Sequence, residues 1–212
     1  KIEDDNNRIG WGEVAPVNNE EIAQCETILT RITSHIQKQE IEQKLIYWPK
    51  SLRFGFGAAL AEIDCIIGSD SKDGWLKAPK SAFLLDSQDS IIEQVSYLAG
   101  EFQAKNEILT LKLKVGLKSN NQEEKIVEKL LKLLPSNSRL RLDVNGGWEF
   151  NQAKDWASKL KDEPRLEWIE QPLPTEDIDG LMKLSKLIPI ALDESLIHNP
   201  DLMKTWKGWQ VR

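Results

Sequence analysis

A repeated alternation of strand-like and helix-like segments, from about residue 75 onwards, is the feature that most limits the possible folds. Apolar runs typical of strands lie at residues 75–85, 109–116, 140–145, 166–172, 188–195 and 208–212. Amphipathic helix patterns separate several of these runs, at residues 122–134, 151–160 and 175–187. Repeated strand–helix units build a parallel sheet, which is either doubly wound or closed into a barrel.

The first 74 residues have a different pattern and are predicted to form a separate α+β domain. A strand-like segment spans residues 9–16. Apolar residues then recur at helical spacing over residues 22–36, which predicts one amphipathic helix. A second helix, apolar on most of its surface, is predicted over residues 54–67.

Charged side chains break the apolar pattern of four strands near their carboxyl ends. Lys112 and Lys114 alternate with leucines in one strand, and Asp143, Glu170 and Asp193 lie near the ends of the next three. The spacings of 29, 27 and 23 residues from Lys114 onwards are each about one strand–helix unit. In a barrel of such units, the carboxyl ends of the strands form the face where chemistry is done. Three carboxylates on that face would make an all-oxygen, anionic pocket that suits Mg²⁺.

Such a pocket can promote the removal of a proton from carbon. A divalent ion that holds a substrate carboxylate stabilises further negative charge on it, so the adjacent carbon can lose a proton to give an enediolate. A lysine can act as the base when burial and neighbouring cations lower its pKa towards neutrality, and Lys112 beside Lys114 fits that arrangement. Arg141 shares a strand face with Asp143 and is a candidate for binding the small carboxylate substrate.

Composition and charge argue against several other classes of protein. The net charge of −6 over 212 residues opposes a general role in nucleic-acid binding. No apolar run reaches the roughly 18 to 20 residues that span a bilayer, and no glycine-rich motif for a dinucleotide or a P-loop nucleotide follows a strand. Cys25 and Cys65 are expected to be buried thiols, which favours a reducing, cytoplasmic location. The oligomeric state stays open.

Six sequence motifs resemble the enolase superfamily and, within it, the muconate-lactonizing subgroup. The motifs are L-K-L-K-V-G at 111–116, R-L-D-V-N at 141–145, W-I-E-Q-P-L at 168–173, I-A-L-D-E-S-L at 190–196, G-W-G-E-V-A-P at 10–16 and S-L-R-F-G at 51–55. The resemblance implies an N-terminal α+β capping domain at residues 1–74 and strands one to six of a (β/α)₇β barrel, of the TIM type, at residues 75–212. It also implies one Mg²⁺ held by Asp143, Glu170 and Asp193.

The resemblance further implies a reaction and the residues that carry it. The reaction is the dehydration of 2-succinyl-6-hydroxy-2,4-cyclohexadiene-1-carboxylate, a step in menaquinone and phylloquinone synthesis. Lys114 would remove the proton next to the carboxylate and then protonate the departing hydroxyl, and Lys112 would be the first lysine of the K-x-K motif. An N-acylamino acid racemase, a dipeptide epimerase and a catalytically incomplete barrel fragment are alternatives. A second catalytic lysine is expected just beyond Arg212, and further strands of cap and barrel are expected in a longer protein.

Overall fold

The structure is a computed structural model that describes residues 1–67, 81–85 and 90–208. The chain divides into two compact units, Lys1–Pro79 and Lys80–Arg212. Their junction and the predicted domain boundary after residue 74 both lie outside the described residues.

The first unit combines a small antiparallel sheet with helices. Its elements are β1 (Ile2–Glu3), β2 (Ile9–Gly10), α1 (Asn19–Leu29), α2 (Lys38–Leu45) and α3 (Lys50–Ile63). β1 pairs with β2, and α3 packs against both strands. This contact is close, because a Cβ atom added at Gly10 would lie 1.8 Å from the carbonyl oxygen of Ala59. Only glycine therefore fits where β2 crosses α3.

The predicted helix over residues 22–36 is wrong in its length, because α1 ends at Leu29. The Thr33 hydroxyl donates a hydrogen bond to the carbonyl oxygen of His35 at 2.6 Å. Such local bonds from threonine compete with the helical hydrogen-bond pattern. The second predicted helix is present as α3, but it begins and ends four residues earlier than expected.

The two cysteines have different environments. Cys25 in α1 is buried, and its Sγ lies 3.5 Å from Ser51 Oγ. Cys65 follows the end of α3 in the left-handed conformation, with a φ of +56°, and is exposed. A left-handed residue just after a helix turns the chain away from the helix axis. The expectation of burial is therefore confirmed for Cys25 and wrong for Cys65.

A parallel sheet of five strands forms the centre of the second unit. Its strands, in the order in which they lie side by side, are β3 (Phe83–Leu85), β4 (Thr110–Lys114), β5 (Arg139–Asp143), β6 (Leu166–Glu170) and β7 (Ile190–Ala191). Each strand pairs with the next one along the chain. A doubly wound sheet reverses its strand order at one point, whereas a (β/α) barrel does not. The observed order is that of a barrel, as predicted.

Among the described residues, five of the six predicted barrel strands are present, and β4 to β7 are shorter than expected. The strand expected over residues 188–195 is reduced to β7, because Glu194 already begins a helix. Residues 75–80 of the first predicted barrel strand, and residues 209–212 of the last, lie outside the described residues.

Helices follow the strands of the second unit. They are α4 (Ile91–Ala104), α5 (Asn120–Leu133), α6 (Phe150–Leu160), α7 (Ile178–Leu184), α8 (Glu194–His198) and α9 (Leu202–Thr205). α5, α6 and α7 confirm three predicted helices, whereas α4 was not predicted. Its buried residues Ile91, Val95 and Ala99 recur every four positions, so the sequence did contain the signal. Within the described ranges, no helix is long and apolar enough to cross a membrane.

The two faces of the sheet have opposite chemistry. Leu111 and Leu113 of β4, and Leu140 and Leu142 of β5, are at most 3% exposed and belong to the apolar core formed with the helices. Alternate residues of a strand point to opposite faces. Lys112 and Arg141, which lie between these leucines, therefore lie on the other face together with Lys114 and Asp143, which follow them.

Candidate active site

Lys114, Asp143 and Glu170 lie side by side at the carboxyl ends of three adjacent strands. Lys114 is the register partner of Asp143, and Asp143 is the partner of Glu170. The backbone ladder continues past them, since the Val115 N–H donates to the Asp143 carbonyl oxygen at 2.8 Å and the Val144 N–H donates to that of Glu170 at 3.1 Å. Neighbouring strands lie about 4.8 Å apart. One basic and two acidic residues thus stand at the same height.

The Lys112 ammonium group lies between the two carboxylates. Its Nζ is 2.9 Å from Asp143 Oδ2 and 2.8 Å from Glu170 Oε1. Burial acts to lower the pKa of Lys112, but the hydrogen bonds with Glu170 and Asp143 outweigh burial and raise this pKa. The nearest charged neighbours of Lys112 are therefore anions and not the cations on which the expected lowering depends, so that lowering stays a prediction.

Asp193 occupies a different setting from the other two predicted ligands. It is exposed and directly precedes α8, with φ −126° and ψ −86°, and its side chain makes no capping hydrogen bond. Its backbone N–H donates to Gln171 Oε1 at 3.1 Å. The next residue, Glu194, accepts a hydrogen bond from Asn145 Nδ2 at 2.9 Å. The structure brings Asp143 and Glu170 together around Lys112, but among the described residues Asp193 does not form a metal-type cluster of three with them.

The donor atoms of the site suit a hard cation. In the described parts of the chain, no group of three or more His, Cys, Asp or Glu side chains is already clustered as for a metal ion. Among the same residues, however, Asp143 Oδ1 is buried without a hydrogen-bond partner. The other oxygen of this carboxylate and one oxygen of Glu170 already bind a positive charge, that of Lys112. Because Mg²⁺ prefers carboxylate oxygens, these residues fit it chemically.

Arg141 is engaged within the sheet. Its Nε lies 2.5 Å from Glu167 Oε2, and its guanidinium carbon lies 4.1 Å from the centre of the Trp168 ring. Glu167 also accepts a hydrogen bond from Arg139 at 2.9 Å. The register shifts between Leu140 and Arg141, so Glu167 is an extra residue on its strand, as in a β-bulge. Contact of Arg141 with a substrate stays a prediction.

A buried carboxylate fixes the loop that follows Lys114. Glu123 is 4% exposed and accepts three hydrogen bonds of 2.9 Å, from the backbone N–H groups of Gly116, Leu117 and Lys118. Three donors compensate the buried charge. Sequence reasoning missed this residue; an acidic side chain in the first turn of α5, seven positions after a glycine, was the available signal.

Much of the chain is similar in sequence to a known protein family and to named relatives. Residues 95–206 match the family described as Enolase C-terminal domain-like. The o-succinylbenzoate synthase of Thermosynechococcus vestitus is 30% identical over 223 residues, which cover 99% of this chain and 64% of the relative. The o-succinylbenzoate synthase of Salmonella arizonae is 28% identical over 205 residues, which cover 94% of this chain and 58% of that relative. The chain therefore spans about 58–64% of the length of these curated relatives.

Solved structures show the same fold. An o-succinylbenzoate synthase from Thermosynechococcus elongatus BP-1, complexed with Mg in its active site, has a TM-score of 0.68 and 26% identity, and the likeness covers 97% of this chain and 64% of that one. A muconate lactonizing enzyme has a TM-score of 0.70 and 21% identity, and the likeness covers 92% of this chain and 59% of that enzyme. The second likeness is one of fold alone. Both agree with the barrel-type sheet and confirm the fold class expected from the motifs.

Proposed function

Since this chain belongs to the enolase C-terminal domain-like family, we propose that its protein is a Mg²⁺-dependent carbon–oxygen lyase that catalyses the reaction of o-succinylbenzoate synthase. The reaction removes water from 2-succinyl-6-hydroxy-2,4-cyclohexadiene-1-carboxylate and leaves o-succinylbenzoate. Relatives of that name, aligned over 94–99% of the chain, support the choice of substrate. We place this reaction in the cytoplasm, as a step of menaquinone and phylloquinone synthesis.

The observation that carries this proposal is the row formed by Lys114, Asp143 and Glu170. The proposed base and two of the proposed metal ligands stand at one height on three neighbouring strands. A substrate whose carboxylate lies at the acidic residues can present its adjacent C–H bond to the strand that carries Lys114. Holding the reacting groups in place in this way removes much of the entropic part of the barrier.

Lys114 is the better placed of the two lysines to move protons. Lys112 has its ammonium bonded to Asp143 and Glu170, whereas Lys114 is exposed at the carboxyl end of β4. Neutral Lys114 would take the proton from the carbon next to the substrate carboxylate. The same proton would then pass to the hydroxyl group as its C–O bond breaks, so that one water leaves and the ring becomes aromatic.

Asp143, Glu170 and Asp193 would hold the metal ion. When bound, Mg²⁺ would draw negative charge onto the substrate carboxylate and so make the adjacent C–H bond more acidic. Asp143 and Glu170 also keep the Lys112 ammonium beside the site, where its positive charge favours an anionic substrate. Leu111 and Leu113, on the opposite face of β4, hold that strand in the apolar core.

An assay of the full-length natural protein tests the proposal. Supplied with the cyclohexadiene substrate and Mg²⁺, it should form o-succinylbenzoate, detected by chromatography; chelation with EDTA should stop turnover and added Mg²⁺ should restore it. The same protein should be incubated with N-acylamino acids and dipeptides in D₂O. Deuterium incorporation there, without dehydration of the cyclohexadiene, would point to a racemase or an epimerase instead.

A further inference from the structure

Gln171 connects β5 and β6, which carry Asp143 and Glu170, with the segment after β7 that carries Asp193. Its carbonyl oxygen accepts a hydrogen bond of 2.7 Å from the Gly146 N–H, just beyond β5, and its own N–H donates to Ala191 of β7 at 2.9 Å. Its side-chain Oε1 accepts from the N–H groups of Asp193 and Ser195, both at 3.1 Å. One residue, adjacent to Glu170 in sequence, thus joins β5, β6, β7 and the start of α8.

The surroundings of Gln171 hold it in a single orientation. Its side-chain Nε2 donates to the Leu173 carbonyl oxygen at 3.0 Å and to Ser195 Oγ at 2.7 Å. The side chain therefore makes four hydrogen bonds while the residue is fully buried. Its φ of +38° is uncommon for a residue other than glycine. Such a conformation persists where the surrounding contacts over-determine it.

We propose that Gln171 is a positioning residue that holds Asp193 in place for a divalent cation shared with Asp143 and Glu170. The inference rests on the proposed function and adds to it a determinant of metal affinity. Asp193 makes no capping bond of its own, whereas its N–H and that of Ser195 are both bound to one oxygen of Gln171. The backbone from Asp193 to Ser195 is thereby fixed against the strand that carries Glu170.

The effect should appear in metal binding itself, independently of turnover. Groups that orient metal ligands typically change metal affinity by about 10- to 100-fold when they are removed. Gln171→Met keeps the approximate volume but removes the acceptor of both N–H groups. In the full-length natural protein, we expect this variant to bind Mn²⁺ about 10- to 100-fold more weakly in a titration followed by electron paramagnetic resonance.

A double-variant cycle separates positioning from general damage. If Gln171 acts through Asp193, the variant Asp193→Asn should already have lost the part of the Mn²⁺ affinity that depends on Gln171. Adding Gln171→Met to Asp193→Asn should then change the Mn²⁺ affinity by less than about threefold, because coupled sites are not additive. Losses that multiply in the double variant, or a Gln171→Met affinity within about threefold of the wild type, would overturn the proposal.

Three further variants keep the test decisive. Asp143→Asn reports on the metal site itself: if it leaves Mn²⁺ affinity unchanged, the proposed function fails; if it weakens binding and Gln171→Met does not, only the positioning role fails. Gln171→Asn replaces Gln171→Met if the latter does not fold, since it keeps an amide but is one methylene too short to reach both N–H groups. Trp156→Phe removes a partly buried hydrogen bond to Asn120 on α5 and should leave Mn²⁺ affinity unchanged.

Discussion

Lys112 and Asp143 are not register partners in the sheet, yet their side chains form an ion pair. The backbone of Lys112 lies opposite Arg141, and that of Asp143 lies opposite Lys114. Lys112 Nζ nevertheless lies 2.9 Å from Asp143 Oδ2 and 2.8 Å from Glu170 Oε1. The long lysine side chain therefore reaches forward along the strand direction. It places a positive charge between two carboxylates that would otherwise repel each other.

Replacing this lysine should make the protein more dependent on metal for its stability. Lys112→Met leaves Asp143 and Glu170 without their shared counter-ion, so the unfolding free energy in EDTA should fall by about 1–2 kcal/mol, less than for a fully buried pair. Saturating Mg²⁺ should raise the Tm of Lys112→Met more than that of the wild type, because no ammonium competes for the carboxylates. Lys129→Met, a substitution at an exposed position of α5, is the control. Equal Mg²⁺-induced Tm shifts in the wild type, Lys112→Met and Lys129→Met would contradict the prediction.

Loss of the proposed base should affect turnover much more than binding. Lys114→Ala removes the amine that takes and returns the proton, so kcat for the cyclohexadiene should fall by at least about 10³-fold. Mn²⁺ affinity should change by less than about threefold, because Asp143, Glu170 and Asp193 are intact. Steady-state kinetics of the full-length protein, beside Lys129→Ala as a control, measure this. A Lys114→Ala enzyme with a tenth of wild-type kcat would place the base elsewhere.

The carboxylate of Glu123 should stabilise the loop that follows Lys114. Glu123→Gln leaves one acceptor oxygen for three backbone N–H groups and removes the charge, so the unfolding free energy should fall by about 1–3 kcal/mol. Hydrogen exchange of the amides at residues 116–118 should become faster. Glu128→Gln, an exposed substitution on the same helix, should change neither measurement. Unchanged protection of the three amides in Glu123→Gln would refute the role.

A second ion pair should make stability depend on pH. The hydrogen bond from the Arg165 side chain to Glu163 lowers the pKa of that carboxyl group in the folded protein. Its stabilising effect is therefore fully present above the unfolded-state pKa and is lost as the pH falls through the folded-state pKa. Urea unfolding from pH 7 to pH 3 should show Glu163→Gln less stable by about 1 kcal/mol at pH 7, with the difference shrinking as the pH falls. A difference in unfolding free energy that stays constant from pH 7 to pH 3 would show that protonation of Glu163 does not affect stability.

The sequence predicted those parts of the fold that periodic patterns determine. Leucines alternating with charged residues in β4 and β5 follow the two-residue period of a strand with two different faces. The same alternation singled out Lys114, Asp143 and Arg141 as residues of one face. The predicted bounds of β7 were less accurate. The strand was expected to reach residue 195, but Asp193 has φ −126° and ψ −86° and α8 begins at Glu194.

Gln171 and Glu167 could not be predicted in this way, because their partners lie far along the chain. Gln171 binds Ser195, 24 residues later, and Glu167 binds Arg141, 26 residues earlier. No local period marks a glutamine that is fully buried, and most glutamines are exposed. The bulge at Glu167 depends on how two strands meet, which a single strand does not encode.

The strand order of the sheet also has a consequence for how the chain folds during synthesis. Each strand from β4 to β7 pairs with the strand made just before it, and 29 residues separate Lys114 from its partner Asp143. Because each pairing spans only about one strand–helix unit, a growing chain can add one strand at a time. The side chain of Gln171 can form its hydrogen bonds with the N–H groups of Asp193 and Ser195 only later, because these residues follow it by 22 and 24 positions. The strands that carry Asp143 and Glu170 can therefore pair before Asp193, the third predicted metal ligand, has been synthesised.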